Sequence, residues 1–424
     1  MRLTDEEKRM LDGEQGSVKQ RCMQFLQAYG EAAGAERLID LDGTVDLHPS
    51  GGWVAKYEIS REEIAELARK GERFKVPTFS DKTTSPAMIN DGWETCNVLP
   101  SADPAYHKKC LDDIQPYIDM GLIPTFSCAH YLAASVWPSL GQHSAWVESS
   151  AIPWVNAILG SPSNFDGCFQ TAYLGKVPDY DMHIKENRAA TVLVKCEAEL
   201  KRDMDYDLFG WTIGETLGLK VPAFVGIGHP TTYQIVKMNS ALNTGGQVRM
   251  YHVPGMTPEA PTLEAAFQGK KPQETISITK SDLKRAYDLM NYGSSVDVDF
   301  VYLGCPHYTL DKVRKIADLL EGKKCKVSCW VMTSPGLFNI AEMAGYRKKI
   351  EASGAKLLSG NCACQLAGRV VYPSETPKVV AMDAAKQSYY MTGHCHPNYC
   401  EIKYGTTEDC INAALTGKWQ GEWR

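Results

Sequence analysis

The last third of the chain repeats one unit: an apolar run of strand length, a small or polar turn, and an amphipathic helix. Residues 296–303 predict a strand, which Gly304-Cys305-Pro306 is expected to end. Apolar positions then fall at Leu310, Val313, Ile316, Ala317 and Leu320, a helical spacing, with Thr309 as N-cap and Gly322 just past the end. A strand over 327–332 ends at Thr333-Ser334, and a helix over 337–352 is punctuated by Gly354. A short strand at 356–358 leads into Cys362 and Cys364, and a fourth run, 378–382, ends at Asp383 and Lys386. Strands alternating with helices predict a parallel sheet. Ligands bind beyond the carboxyl ends of such strands, so Cys305, Thr333, Cys362 and Lys386 are expected on one rim. A cation starting a helix, as Lys386 does, opposes the helix dipole and points to an anion close by.

The same patterning organises the rest. Capping boxes stand at Thr4/Glu7 and Ser60/Glu63, and Val18, Cys22, Phe25, Leu26 and Tyr29 share one helical face. Short strands are predicted at 38–41 and 74–79, a loop at 42–48 and a helix at 103–120. The stretch 124–131 sets Cys128 beside other polar groups. The run 141–150, with Glu148, Ser149 and Ser150, precedes a predicted helix at 152–159 that holds Asn156; a helix start favours an anion such as a substrate carboxylate. His183 and Arg188 form a third polar cluster, with Arg188 suited to a bidentate carboxylate contact. Strands at 190–196, 223–226 and 247–253 surround a helix at 234–242. We divide the chain into an N-terminal α/β region (1–200), a middle α/β region (201–290) and a C-terminal βαβ domain (291–424).

A length of 424 residues supports two or three domains, and 44% hydrophobic with 23% charged residues is the balance of a globular protein. A net charge of -6 offers no electrostatic footprint for nucleic acid. No apolar run reaches the ~18 residues of a membrane span, and the N-terminus lacks an apolar signal core, so a cytoplasmic protein is expected. Fourteen cysteines are too sparse for a disulfide scaffold. Cys22, Cys110, Cys168, Cys196, Cys325, Cys329 and Cys410 read as buried filler. Cys305 and Cys362 follow strands, where no core residue is needed, and read as ligands. His394, Cys395, His396 and Cys400 have zinc-type side chains without a closed four-ligand spacing. Three cysteines far apart in sequence but convergent in space are the pattern of an iron site with an open position, which leaves the metal available as a Lewis acid.

Several stretches together carry a resemblance: 11–16, 29–31, 141–151, 186–188, 254–260 and 303–307, of which Trp146-Val147-Glu148-Ser149-Ser150-Ala151 is the most specific. On these the chain resembles the large, catalytic subunit of the aconitase X family. The resemblance implies a multidomain aconitase-like architecture that lacks the swivelling small domain. It implies a hydro-lyase using iron, as a [2Fe-2S] cluster or a mononuclear centre, held by Cys128, Cys305 and Cys362, with Cys364 as an alternative to Cys362. A separate small subunit would supply a catalytic serine to take the proton next to the substrate carboxylate. Glu148, Ser149 and Lys386 would act in catalysis, and Ser150, Asn156, His183, Arg188 and Thr333 in substrate binding. The implied substrate is a small hydroxy acid, cis-3-hydroxy-L-proline or mevalonate 5-phosphate. The competing expectation is a non-catalytic, metal-stabilised protein that binds a small molecule or a partner.

Overall fold

Parallel strands with helices between them build all three regions of the structure, a computed structural model that describes residues 1–48, 57–80, 104–132, 136–360, 377–391 and 400–423. The first region holds β1 (Leu38–Asp40), β2 (Val45–Leu47), β3 (Thr78–Ser80), β4 (Leu122–Ile123) and β5 (Lys176–Pro178). Here β2, β3 and β4 pair in parallel, while β1 and β5 form a separate antiparallel ribbon. In the middle, β6 (Val192–Cys196), β7 (Pro222–Val225) and β8 (Glu274–Ile278) make a parallel sheet in the order β7-β6-β8. β6 thus pairs wholly with the middle strands, although it falls in the 1–200 segment of the division made from sequence. The last region holds β9 (Phe300–Tyr308), β10 (Ser328–Thr333), β11 (Lys356–Ser359), β12 (Val379–Met382) and β13 (Glu401–Tyr404), all parallel, in the order β11-β10-β9-β12-β13.

Both faces of this last sheet are covered, so its inner strands β9, β10 and β12 are largely apolar, whereas the edge strand β13 alternates through Glu401 and Lys403. Phe300 and Tyr302 pack on one side with Trp330, Met332, Val380 and Met382. Val301 and Leu303 pack on the other, against the helix Leu310–Leu320 through Val313, Ile316, Ala317 and Leu320. That helix is capped as its sequence predicts, the Thr309 hydroxyl accepting from the Lys312 amide. The strand order reverses between β9 and β12, which opens a crevice at their carboxyl ends, the usual ligand position in such sheets.

Four local expectations are corrected. β9 does not end at Gly304: it runs on to Tyr308, with residues 304–307 bulging opposite the single residue Met332, because Leu303 pairs with Val331 and Tyr308 with Thr333. The helix expected at 337–352 is two, Pro335–Met343 and Tyr346–Ala352, parted at Gly345, whose φ of 78° ends the first. The segment 42–48 contains β2, a buried strand too short to leave a pattern. The stretch 247–253 makes one bridge, His252 to Ala223, in place of a strand.

One apolar core joins the regions. Tyr131, Trp146 and Val155 of the first region, Tyr233 and Val236 of the second, and Leu303 and Tyr308 of the third are buried in one cluster. At its edge Lys312 pairs with Asp203 at 2.5 Å and lies over the rings of Tyr233 and Tyr308. Burial raises the Asp203 carboxyl, but the ammonium outweighs it and holds the pKa below the usual value. A depressed carboxyl contributes stability that is present above its unfolded pKa of about 4 and lost as pH falls through the folded value. Lys312→Met should therefore cost about 2 kcal/mol at pH 7 in urea unfolding, with a deficit that narrows below about pH 4; a deficit constant with pH would contradict the pairing.

Candidate active site

The bulge in β9 sets the site. Gly304 has φ 106°, and a Cβ there would collide with the Met332 carbonyl, so glycine alone lets the chain turn out of the sheet before Cys305. The Cys305–Pro306 peptide is cis. The bulge docks on the segment carrying Cys128: the His307 amide donates to the Cys128 sulfur at 3.3 Å, and the His307 ring shares a hydrogen bond of 3.0 Å with the Ser127 hydroxyl. Cys128 and Cys305 are both 6% exposed. Beyond, Thr333 is fully buried and donates to the Tyr308 carbonyl at 2.8 Å, which pins the end of the bulge.

The run 146–150 reaches the same place from the first region. Trp146 anchors it: its indole N–H donates to Thr44, and its ring lies 4.6 Å from that of His130 and stacks on Tyr131. Asp46, on β2, accepts the amides of Val147 and Glu148 through one oxygen, at 3.2 and 3.0 Å, and faces His130 at 3.7 Å with the other. The Ser150 hydroxyl donates to the Cys128 carbonyl at 2.7 Å. The chain then turns through Ala151–Pro153 into a π-helical turn, Trp154–Ile158, where one extended helix was expected; the amides of Ala151 and Ile152 bond to the Glu148 carbonyl. Such turns recur at functional sites.

Lys386 arrives from the third region, on the helix Ala385–Tyr389 after β12. Its ammonium is 2.9 Å from Glu148 Oε1 and bonded to the Ser149 hydroxyl, which itself donates to Glu148 Oε1 at 2.9 Å. The anion beside Lys386 is thus the Glu148 carboxylate, supplied from 238 residues away. Lysine and glutamate side chains are 7% and 6% exposed. Burial and the adjacent Cys128 and Glu148 charges push the Tyr131 hydroxyl well above its ordinary range, so it stays neutral against the cluster.

The structure therefore brings together Cys128, Cys305, Glu148, Ser149, Ser150 and Lys386, and gives other sequence candidates different work. Arg188 is not open to a substrate carboxylate: it is 2% exposed, bidentate with Glu259, and bonded to the Asn156 side chain and carbonyl at 2.7 and 2.9 Å. Asn156 is spent on Arg188, Ile152 and Ser163, so its part is to hold the π-helical turn. Thr333 serves the bulge. His183 lies apart, its Nδ1 2.9 Å from that of His143 and its Nε2 3.6 Å from Asp166, which also receives the hydroxyls of Tyr29 and Tyr180. Asp166 borders a cleft of about 680 Å³ between the first and middle regions, lined also by Tyr29, Val147, Cys168, Asn243 and Tyr390. Asp46, Ser127 and His130 were not singled out from sequence. Cys362, Cys364, His394, Cys395 and His396 lie outside the described residues.

The donor chemistry fits an iron centre as far as it is described. Two buried thiols are joined through one backbone segment, and an N–H aimed at a sulfur is a feature that tunes such centres. Among the described residues no group of three His, Cys, Asp or Glu is placed to hold a metal, and no helix is long and apolar enough to cross a membrane. Gly304→Ala should lose about 2 kcal/mol or more in urea unfolding, since both φ and the Met332 carbonyl oppose a side chain; a loss under about 0.5 kcal/mol would show that the bulge is not glycine-dependent.

Family models match in order along the chain: the aconitase X first domain over residues 1–186, the second over 190–288 and the third over 298–416. The phosphomevalonate dehydratase large subunit of Methanothermobacter thermautotrophicus is 32% identical, over 92% of this chain and 93% of that one. The cis-3-hydroxy-L-proline dehydratase of Hypocrea jecorina is 27% identical, over 98% of this chain and 69% of its own length. The crystal structure of Thermococcus kodakaraensis aconitase X in its holo-form is 29% identical and superimposes with a TM-score of 0.78, covering 98% of this chain and all of that one. Domain models in sequence and a solved relative matched over nearly the full length lead to one conclusion: the chain belongs to the aconitase X family.

Proposed function

We propose that the chain is the large, catalytic subunit of a cytoplasmic, iron-dependent hydro-lyase that removes water from a small hydroxy acid. The observation that carries this reading is the buried contact of Lys386 with Glu148 and Ser149, tied through Ser150 to Cys128 and through His307 to the Cys305 bulge. Relatives named as dehydratases of phosphomevalonate and of cis-3-hydroxy-L-proline support the reaction class. Their being named large subunits supports a separate small subunit, which would carry the serine that takes the proton next to the carboxylate.

Cys128 and Cys305, with Cys362, are the residues that would hold the iron. When bound, it supplies Lewis acidity toward the leaving hydroxyl. The chain's own groups manage charge and protons. The Lys386 ammonium faces the Glu148 carboxyl in a site with little water and supplies its charge partner there. Glu148 Oε1 is then the proton-holding atom, with the Ser149 hydroxyl bridging it to substrate. Because Arg188 is committed to Glu259, the positive charge facing a substrate carboxylate among the described residues here is that of Lys386. Tyr131, Trp146 and Trp154 form the dry aromatic wall behind the site.

The test uses the chain purified anaerobically with iron and its small subunit, assayed against mevalonate 5-phosphate and cis-3-hydroxy-L-proline. Lys386→Met and Glu148→Gln should each lower kcat by about 10²- to 10⁴-fold with iron content unchanged. Cys305→Ser should lose the iron itself. Undiminished dehydration by Lys386→Met, or no turnover of either acid by the complete enzyme, would overturn the reading.

A further inference from the structure

Two charged residues are buried in the middle region where an apolar residue would be expected. Asp207 lies within the helix Asp203–Leu217 and Lys237 within Thr232–Gly246, each 1% exposed. Neither belongs to the site described above. The Lys237 ammonium is 3.0 Å from Asp207 Oδ2 and also donates to the Asp383 carbonyl. Asp207 Oδ2 further accepts the Ala385 amide at 2.7 Å and the Tyr404 hydroxyl at 3.0 Å. Asp383 is itself gripped, its Oδ2 taking the hydroxyls of Tyr308 and Thr407, each at 2.6 Å.

These contacts close around the segment that presents Lys386. The helix Ala385–Tyr389 has five residues, too few to hold itself, and its N-cap, Ala384, has no side chain to cap it. A helix start leaves amides without internal partners, and a carboxylate there both accepts an amide and offsets the dipole that a lysine opposes. Asp207 meets that need from another region, as an N-cap supplied in trans. Burial raises the Asp207 carboxyl and the Lys237 ammonium opposes that rise, while Lys237 also fixes the Asp383 carbonyl. Tyr308, at the end of the Cys305 bulge, completes the link between the thiol wall and the lysine wall.

We propose that Asp207 and Lys237 are positioning residues for Lys386, setting its reach to Glu148 by clasping residues 383–385. The inference rests on the catalytic role assigned to Lys386 under the proposed function. Replacing one charge alone would strand the other in the interior and unfold the region, so both are changed together. In Asp207→Leu/Lys237→Met the clasp is replaced by apolar groups; in Asp207→Asn/Lys237→Met an acceptor for the Ala385 amide remains. Two readouts are taken on the iron-loaded enzyme with its small subunit: kinetics, and amide hydrogen exchange of the peptide spanning 383–389. The first variant should lose about 100-fold in kcat with KM changed by less than about threefold, since a displacement near 1 Å is enough for this. Its 383–389 amides should exchange at least about tenfold faster while β9 and β10 stay protected. The second variant should lose only about tenfold in kcat, with exchange between the two, and it carries the test if the first does not fold. Exchange as slow as in the unaltered protein, or faster exchange with kcat within about twofold, would overturn the proposal. If the unaltered enzyme dehydrates neither acid, it is the proposed function that fails, and the exchange result still decides whether Asp207 and Lys237 hold the segment.

Discussion

A lysine and a glutamate 238 positions apart in the chain meet in a nearly water-free space, and much of the architecture serves to make that contact tolerable. Removing two charges from water costs several kcal/mol per ion, which attraction offsets only when the remaining donors and acceptors are also satisfied. Here they are supplied from two regions. Asp46 accepts the Glu148 amide, Ser149 bridges Glu148 and Lys386, and Asp207 caps the short helix that carries the lysine. An arrangement this dependent on distant partners is a poor way to gain stability and a good way to hold a charged pair at fixed geometry.

The second constraint is backbone. In an unbroken β9, Cys305 would point into one of the two packed faces of the sheet; the four-residue bulge that begins at Gly304 lifts it out of the regular pleat and brings the His307 amide onto the Cys128 sulfur. The reversal of strand order sets β9 beside β12, so the bulge and the segment after β12 open on the same crevice. Tyr308 joins the two, donating to Asp383 from the end of the bulge, so movement of either wall is felt by the other.

Much of this was legible in the chain, for identifiable reasons. The C-terminal strands could be read because their apolar runs are bounded by turns, and Lys386 announced an anion because a cation is misplaced at a helix start. Glu148 could be picked out as a candidate but not as the partner, since nothing local links residues 238 positions apart. Arg188 was misjudged for the same reason: a guanidinium suits any carboxylate, and Glu259 lies 71 residues on. Asp46 was hidden in a strand of three residues that reads as a loop. Asp207 and Lys237 left little signal: Asp207 shares its helix with Asp203, Asp205 and Glu215, Lys237 stands among polar residues, and a pattern of single helices cannot show that two charges face each other.

The central claim is that Glu148 and Lys386 work as one unit, and a double-mutant cycle on kcat tests it most directly. Glu148→Gln, Lys386→Met and the double variant would be compared in the iron-loaded enzyme with its small subunit, with folding checked by thermal unfolding. Groups that act together are strongly non-additive, so the double variant should be no slower than the slower single variant, within about threefold. Losses that multiply, with the double variant slower by the product of the two single effects, would show that the residues act independently and contradict the account.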